Sequence, residues 1–337
     1  MDEVHKVRGW RNLIKGTSDK LSQTMNFIAS GSSAFKLRKQ DVGDSFAGRA
    51  FWFSLHPVTF REYAETCMPE TKFPERWQVG MSITEKIRDV IQHRELLRKL
   101  WNEYYTFGSF PENLVRKDVD FYKQWLLDYT SAMLDRDLKD LNVSKDVERV
   151  YQVFLLLMEG LGSTYSLKSM AETLSVKPDT VKSDVSALKQ VLWGWELPVA
   201  VLSKAKQIRK EKKFYPVDFC FADYAKPIME GARFEASVAC LLRRSLCGLH
   251  EVYDPNVSFG FYRDYNKREV DLVVFSKNVF HLVVECKMNM KADASNLISF
   301  TRQFRPKESI LVVDNEGVFE KTDEHYIVSV EFLAAVL

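Results

Sequence analysis

The stretch REVDLVVFSKNVFHLVVECKM, Arg268–Met288, decides how the C-terminal third of this chain is read. Two apolar runs, VDLVVF and FHLVVEC, flank the turn-like SKN. Each run is short and dense in Val, Leu and Phe, so the stretch predicts a β-hairpin. Successive strand side chains leave opposite faces, which puts Glu285 and Lys287 on one face and leaves Cys286 as a small core residue. Asp271 lies on the partner strand and can approach that face, with Glu269 as a spare candidate. Two carboxylates and an ammonium then converge. Such a set suits phosphodiester hydrolysis. Asp271 and Glu285 are expected to hold Mg²⁺, a hard cation that prefers oxygen. The metal polarises the phosphate and lowers the pKa of a bound water. Lys287 orients that water or offsets charge growing on the phosphate.

Working outward, GARFEASVACLLRR (Gly231–Arg244) carries Phe234, Val238, Leu241 and Leu242 at helical spacing, and Glu235 rides on it. After the hairpin, SNLISFTRQF predicts a helix and ESILVVD another strand. The spacing D-x13-E-x-K and the order helix–hairpin–helix–strand resemble the PD-(D/E)xK, or restriction-endonuclease-like, nucleases. The resemblance implies Mg²⁺ on Asp271 and Glu285, Lys287 as the assisting cation, and Glu235 as the helix acid that supports the metal.

The N-terminus shows a second pattern. TMNFIASGSS predicts a buried strand over Met25–Ala29 that runs into polar residues, and a further strand is expected at Ala50–Leu55. Polar residues at strand ends are where ligands bind in open α/β sheets. Asp2-Glu3 followed by His5, Lys6 and Trp10, then Ser30–Ser33, then Gly48, Arg49, Leu55, Pro57, Phe60, Glu62 and Tyr63 resemble, in order, the second half of the prokaryotic AAA+ ATPases that end in a restriction-endonuclease-like domain. The resemblance implies that Asp2 holds Mg²⁺, Glu3 polarises the attacking water, Ser32 senses the γ-phosphate and Arg49 acts in trans. No G-x-x-x-x-G-K-[ST] occurs in the sequence. ATP binding is therefore expected only in an intact relative, or when another chain supplies the missing half.

The middle of the chain is helical from Ile83 to about Leu141, broken by GSFPEN at Gly108–Asn113. YSLKSMAETLSVKPDTVKSDVSALKQVLW (Tyr165–Trp193) places Leu167, Ala171 and Leu174 on one short helix and Val181, Val185 and Leu188 on a second. This predicts a winged helix-turn-helix, with Pro178 opening the second helix. Lys182, Ser186 and Lys189 would face DNA, diluted by Asp179 and Asp184. The basic run Lys204–Tyr215, with Lys210 and Lys212, would meet the phosphate backbone or serve only as a solvated linker.

Composition narrows the classes. Among 337 residues, 46% are hydrophobic and 28% charged, the balance of a globular multidomain chain. A formal charge of +2 excludes a global basic field, so any nucleic-acid surface is local. The five cysteines are odd in number and show no CxxC spacing, which argues against a disulfide framework or zinc site and favours the cytosol. No apolar run is long enough to span a membrane, so none is expected as a partner.

The expected fold is multidomain α/β plus α. Residues 1–65 form a partial P-loop NTPase sheet, 66–148 a helical lid-like region, 149–215 a winged helix and 216–337 a restriction-endonuclease-like α/β domain. The expected function is DNA-directed, by Mg²⁺-dependent cleavage, with DNA and either a homo-oligomer or a complementing chain as partners. Two rivals remain: a noncatalytic DNA-binding or assembly module with a vestigial nuclease fold, and a fragment of an intact ATPase.

Overall fold

The computed structural model describes residues 9–21, 27–31, 55–134, 146–200, 211–224, 229–247, 257–277 and 279–337, with the single positions Val4, Val7, Phe53 and Leu138. The chain divides into two compact units. One comprises Met1–Trp52, Leu127–Leu156 and Leu167–Trp195; the other comprises Phe53–Leu126, Leu157–Ser166 and Glu196–Leu337.

In the first unit, α1 (Trp10–Leu21) follows Gly9, and Val4, Trp10 and Ile14 make a small buried cluster with Ala29. The described part of the predicted strand Met25–Ala29, Phe27–Ala29, carries no strand, and Val4 N donates to Ser30 O beside it at 3.2 Å. The same unit holds most of α7 (Val147–Glu159), and with it α8 (Leu167–Thr173) and α9 (Pro178–Gln190), the latter two being the helices that the apolar spacing predicts. Ser175, at φ 54°, turns the chain between them. Pro178 opens α9 at its first turn, where a missing N–H costs nothing. Val181, Val185 and Leu188 are buried, and Phe154 stacks on Trp193 with ring centroids 4.3 Å apart.

The second unit begins with α2 (Phe60–Cys67), whose N-terminus is closed by a capping box between Thr59 and Glu62. Next come α3 (Ile83–Val90) and α4 (Arg94–Phe107). Gly108, at φ +74°, ends α4 where a Cβ would lie 2.7 Å from the Cys220 Cβ, so no larger residue fits. Pro111 then starts α5 (Pro111–Arg116), after the break that GSFPEN predicts, and α6 (Val119–Ala132) follows.

The C-terminal half of this unit is a six-stranded mixed sheet flanked by helices. Its strands are β3 (Val257–Arg263), β4 (Glu269–Ser276), β5 (Val279–Lys287), β6 (Glu308–Val313), β7 (Phe319–Lys321) and β8 (Tyr326–Ser329). Their spatial order is β3-β4-β5-β6-β8-β7. The hairpin β4–β5 is antiparallel, with Leu272 opposite Val284, while β6 runs parallel to β5 with Glu285 opposite Leu311. A helix α10 (Glu230–Cys247) precedes the sheet, and α11 (Ser295–Phe304) crosses between β5 and β6. Val273, Val283, Leu311 and Val313 pack with Leu297 and Phe300 of α11, and Val270 joins the same cluster across the register shift that β4 makes against Gly260 and Tyr262 of β3. The last helix, α12 (Val330–Val336), is buried along its length.

Helices α2 to α5 fall in the same compact unit as this sheet, whereas the four-part division read from the sequence sets them apart. Long-range polar contacts explain the difference. Arg61 Nη1 donates to Ala335 O at 2.8 Å, and Trp77 N donates to Val336 O at 2.8 Å. Glu308 of β6 caps α3 by accepting from Ile83 N at 2.7 Å, Thr84 N at 3.1 Å and the Ser82 and Thr84 hydroxyls at 2.9 and 2.6 Å. A carboxylate at a helix N-terminus satisfies orphan N–H groups and opposes the positive end of the dipole. Glu308→Ala is therefore expected to lower unfolding free energy by about 2 kcal/mol in chemical denaturation, within the range for hydrogen bonds to a charged group. A loss below about 0.5 kcal/mol would show that water replaces the carboxylate.

No helix among the described residues is long and apolar enough to cross a membrane. The five cysteines are free thiols.

Candidate metal centre

Two more strands position the site: β1 (Gly194–Pro198) and β2 (Lys212–Pro216). On β2, Lys213 and Tyr215 are two apart and leave the same face. Both donate to Glu235 Oε1 from α10: Lys213 Nζ at 2.8 Å and the Tyr215 hydroxyl through a short hydrogen bond. Lys213 is 1% exposed, and its ammonium also lies 2.7 Å from Glu269 Oε1. Arg263 of β3 grips the other oxygen of Glu269 at 2.6 Å. Glu269, the spare candidate, is thus committed to two cations.

Next along β4, Asp271 Oδ2 accepts from the Cys286 backbone N–H at 2.8 Å. On β5, Lys287 Nζ lies 2.8 Å from Glu285 Oε1, so the two do share a face as period-two alternation predicts. Glu285 is 3% exposed, and its second oxygen, Oε2, is buried with no hydrogen-bond partner. Cys286 is buried, in line with its reading as a core residue.

The electrostatics record the crowding. Burial, reinforced by Asp271, pushes Glu235 up to about 7 and Glu285 up to about 8. Burial also raises Asp271, against the pull of Lys213, the Cys286 amide and Lys287. Burial opposes the charge on Lys213, yet Glu235, Asp271 and Glu269 outweigh it and hold the ammonium above its usual value. Lys287 is likewise raised, burial being overcome by Glu285 and Asp271. The Glu235, Asp271 and Glu285 carboxyls thus feel one another and two ammonium groups.

The Glu285 carboxyl titrates at about 8 in the fold against a usual 4.5, so between these values the native state holds more protons than the unfolded chain. Stability contributed by the neutral group is present at the low end of this window and is lost as pH rises through about 8. The melting temperature is expected to fall across that window, and Glu285→Gln is expected to flatten the fall. An equal slope in both proteins would remove Glu285 as its source.

The donor set suits Mg²⁺ in a limited way. Among the described residues, no group of three or more His, Cys, Asp or Glu side chains is placed to hold one metal ion together. Mg²⁺ needs only one or two carboxylates, keeping several waters and taking substrate oxygens. Asp271 and Glu285 are the carboxylates that would serve it, and the orphaned Glu285 Oε2 is an oxygen that lacks a protein donor. Glu235, predicted to support the metal, has Oε1 bound by Lys213 and Tyr215. Sequence reading missed both donors, because Lys213 closes a basic run that reads as linker; the alternation in KKFYP was the available signal.

The nucleic-acid candidates divide. Lys182 is exposed on α9, and Ser186 and Lys189 are half-buried there. Ser186 Oγ accepts from Gln190 Nε2 at 3.0 Å. Asp184 does not dilute the basic face as expected: it is 1% exposed and paired with Arg149 at 2.7 Å. Lys212 is engaged by Glu196 at 2.9 Å, which reduces its availability to a phosphate. Lys210, and the nucleotide candidates Asp2, Glu3, Ser32 and Arg49, lie outside the described residues.

Residues 1–64 match the AAA domain family, residues 98–230 match a domain of unknown function (DUF8612), and residues 230–333 match another domain of unknown function (DUF4143). An uncharacterized protein of Methanocaldococcus jannaschii is 24% identical over 331 residues, covering 93% of this chain and 66% of its own length. A second uncharacterized protein of that organism is 25% identical over 173 residues, covering 51% of this chain and 35% of its own length. An uncharacterized protein of Haemophilus influenzae is 21% identical over 175 residues, covering 52% and 38% respectively. The chain thus spans less than two thirds of the length of each of these relatives. No solved structure matches the chain.

Proposed function

We propose that this chain is a DNA-acting protein whose C-terminal α/β region hydrolyses phosphodiester bonds with Mg²⁺. The observation that carries the reading is the meeting of Asp271, Glu285 and Lys287 at one end of the β4–β5 hairpin, with Glu285 Oε2 buried and unpartnered. The observed order α10, β4–β5 hairpin, α11, β6 supports a restriction-endonuclease-like architecture. Asp271 and Glu285 would hold the ion. When bound, it supplies charge to polarise the phosphate and a lowered pKa to a coordinated water. Lys287 is one-third exposed and can turn its ammonium from Glu285 toward the phosphate. Glu235 would support the ion, its charge coupled to that of Asp271.

The match of residues 1–64 to the AAA domain family supports descent from an ATPase–nuclease fusion. The sequence contains no G-x-x-x-x-G-K-[ST], so ATP hydrolysis is not assigned to these 337 residues alone. Asp2, Glu3, Ser32 and Arg49 would serve a nucleotide only with a phosphate-binding loop from elsewhere. Helix α9, with Lys182, Ser186 and Lys189 as in a winged helix-turn-helix, would lie in a major groove, and Lys210 and Lys212 would follow the backbone.

A second reading is a noncatalytic DNA-binding or assembly module. The observation favouring it is that Glu235, Glu269, Asp271 and Lys287 all have protein partners, as in a closed structural network. A cleavage assay separates the two. Purified protein is incubated with labelled duplex, single-stranded and branched DNA, with Mg²⁺, Mn²⁺ or chelator. Metal-dependent cleavage is the expected result. Metal-independent DNA binding without cleavage would leave the second reading standing.

A further inference from the structure

We infer that Lys213 and Tyr215 are positioning residues for the proposed site, a clamp that sets the rotamer of Glu235 from a strand outside the six-stranded sheet. The inference rests on the proposed phosphodiester-hydrolysing site and adds the parts that hold it in shape. Two donors on one face of β2 converge on a single atom, Glu235 Oε1. Lys213 is 1% exposed, an unusual place for an ammonium, and it bridges Glu235 to Glu269. Glu269 is anchored in turn by Arg263, which also reaches Glu211 at 3.3 Å and the Thr164 hydroxyl at 3.2 Å. Thr164 is bridged to Lys213 by backbone pairing, so the far end of the network returns to the strand that bears the clamp.

With Oε1 held, Glu235 keeps one oxygen for other work. Gly162, at φ +79°, stands beside it: a Cβ there would lie 3.2 Å from Glu235 Oε2. The missing side chain leaves the second oxygen room that alanine would narrow. The carboxylate is therefore presented with one oxygen fixed by two donors and the other facing a gap kept by a glycine. Outer-shell donors of this type orient the groups that touch a metal or substrate, and their loss commonly lowers activity by about 10- to 100-fold.

A double-mutant cycle on the full chain tests the clamp. Lys213→Met, Lys213→Arg, Tyr215→Phe, Glu235→Gln and the Lys213→Met/Glu235→Gln pair are compared in kcat, KM and melting temperature. If the clamp acts through Glu235, Lys213→Met lowers kcat by about 10- to 100-fold with KM little changed. Lys213→Arg restores much of it, and the double variant is no slower than Glu235→Gln. Tyr215→Phe, which keeps the ring and so guards against misfolding, lowers kcat in the same direction. Additive losses in the cycle, or an unchanged kcat in both Lys213→Met and Tyr215→Phe, would overturn the inference. Absence of cleavage by the wild type would overturn the proposed function instead. The cycle is then read in melting temperature, where coupled losses of Lys213 and Glu235 support the clamp and additive ones remove it.

Discussion

Glu285→Gln is expected to reduce Mg²⁺-dependent DNA cleavage by about 10³-fold or more, with a melting temperature no lower than that of the wild type. The two expectations have one cause. In the fold Glu285 is 3% exposed, near Asp271, and one of its oxygens has no donor. A buried carboxylate so placed is a cost to stability, and the amide removes that cost at the same shape. Lys287 loses its partner but is one-third exposed, so water can serve its ammonium. The cation, by contrast, loses one of only two protein carboxylates. Lys287→Met is expected to leave the metal site in place and lower kcat by about 10²- to 10³-fold, the range for loss of one group that offsets transition-state charge. Steady-state cleavage and thermal melting measured on the same preparations decide the matter. A Glu285→Gln protein that cleaves at the wild-type rate would exclude Glu285 as a ligand. One that melts well below the wild type would show that the carboxylate is a structural group.

The second large effect concerns the fold. Asp218→Ala is expected to lower unfolding free energy by about 3–5 kcal/mol, measured by chemical denaturation. Asp218 is 0% exposed and pairs with Arg244 of α10 at 3.2 Å. It also accepts from Ser109 N at 3.0 Å and Cys220 N at 2.9 Å. Arg244 donates to Val217 O at 2.8 Å and to the Tyr104 hydroxyl at 3.0 Å. Removing the acid leaves a buried guanidinium and two backbone donors uncompensated, which costs far more than the intact pair contributes. Adding Arg244→Met to Asp218→Ala should therefore recover part of the loss. A loss below about 1 kcal/mol for the single change would mean that water reaches the pair.

Legibility in the sequence follows the range of the interactions. The hairpin of β4 and β5 is readable because period-two alternation, Val-rich runs and a turn lie within twenty-one residues. The same holds for α11, which spans the predicted Ser295–Phe304, and for the helix pair α8 and α9, with Pro178 at the first turn. The alternation that puts Glu285 and Lys287 together is likewise local. Candidates such as Asp271 could be named because one hairpin register brings them near.

What the sequence could not decide is the set of partners that each charge would meet. Asp184 reads as a solvent-facing acid on a helix, yet Arg149, 35 positions away, buries it. Lys213 reads as one more cation in a basic run, yet it ends between Glu235 and Glu269. Glu308 reads as the polar start of a strand, yet it caps a helix more than 220 positions earlier. By itself the sequence determined the elements and which side chains share a face, since those depend on backbone periods of a few residues. The tertiary structure decided which charges are paired, buried or left with an orphaned oxygen. That depends on desolvation and on contacts between segments far apart in the chain, which no local period encodes.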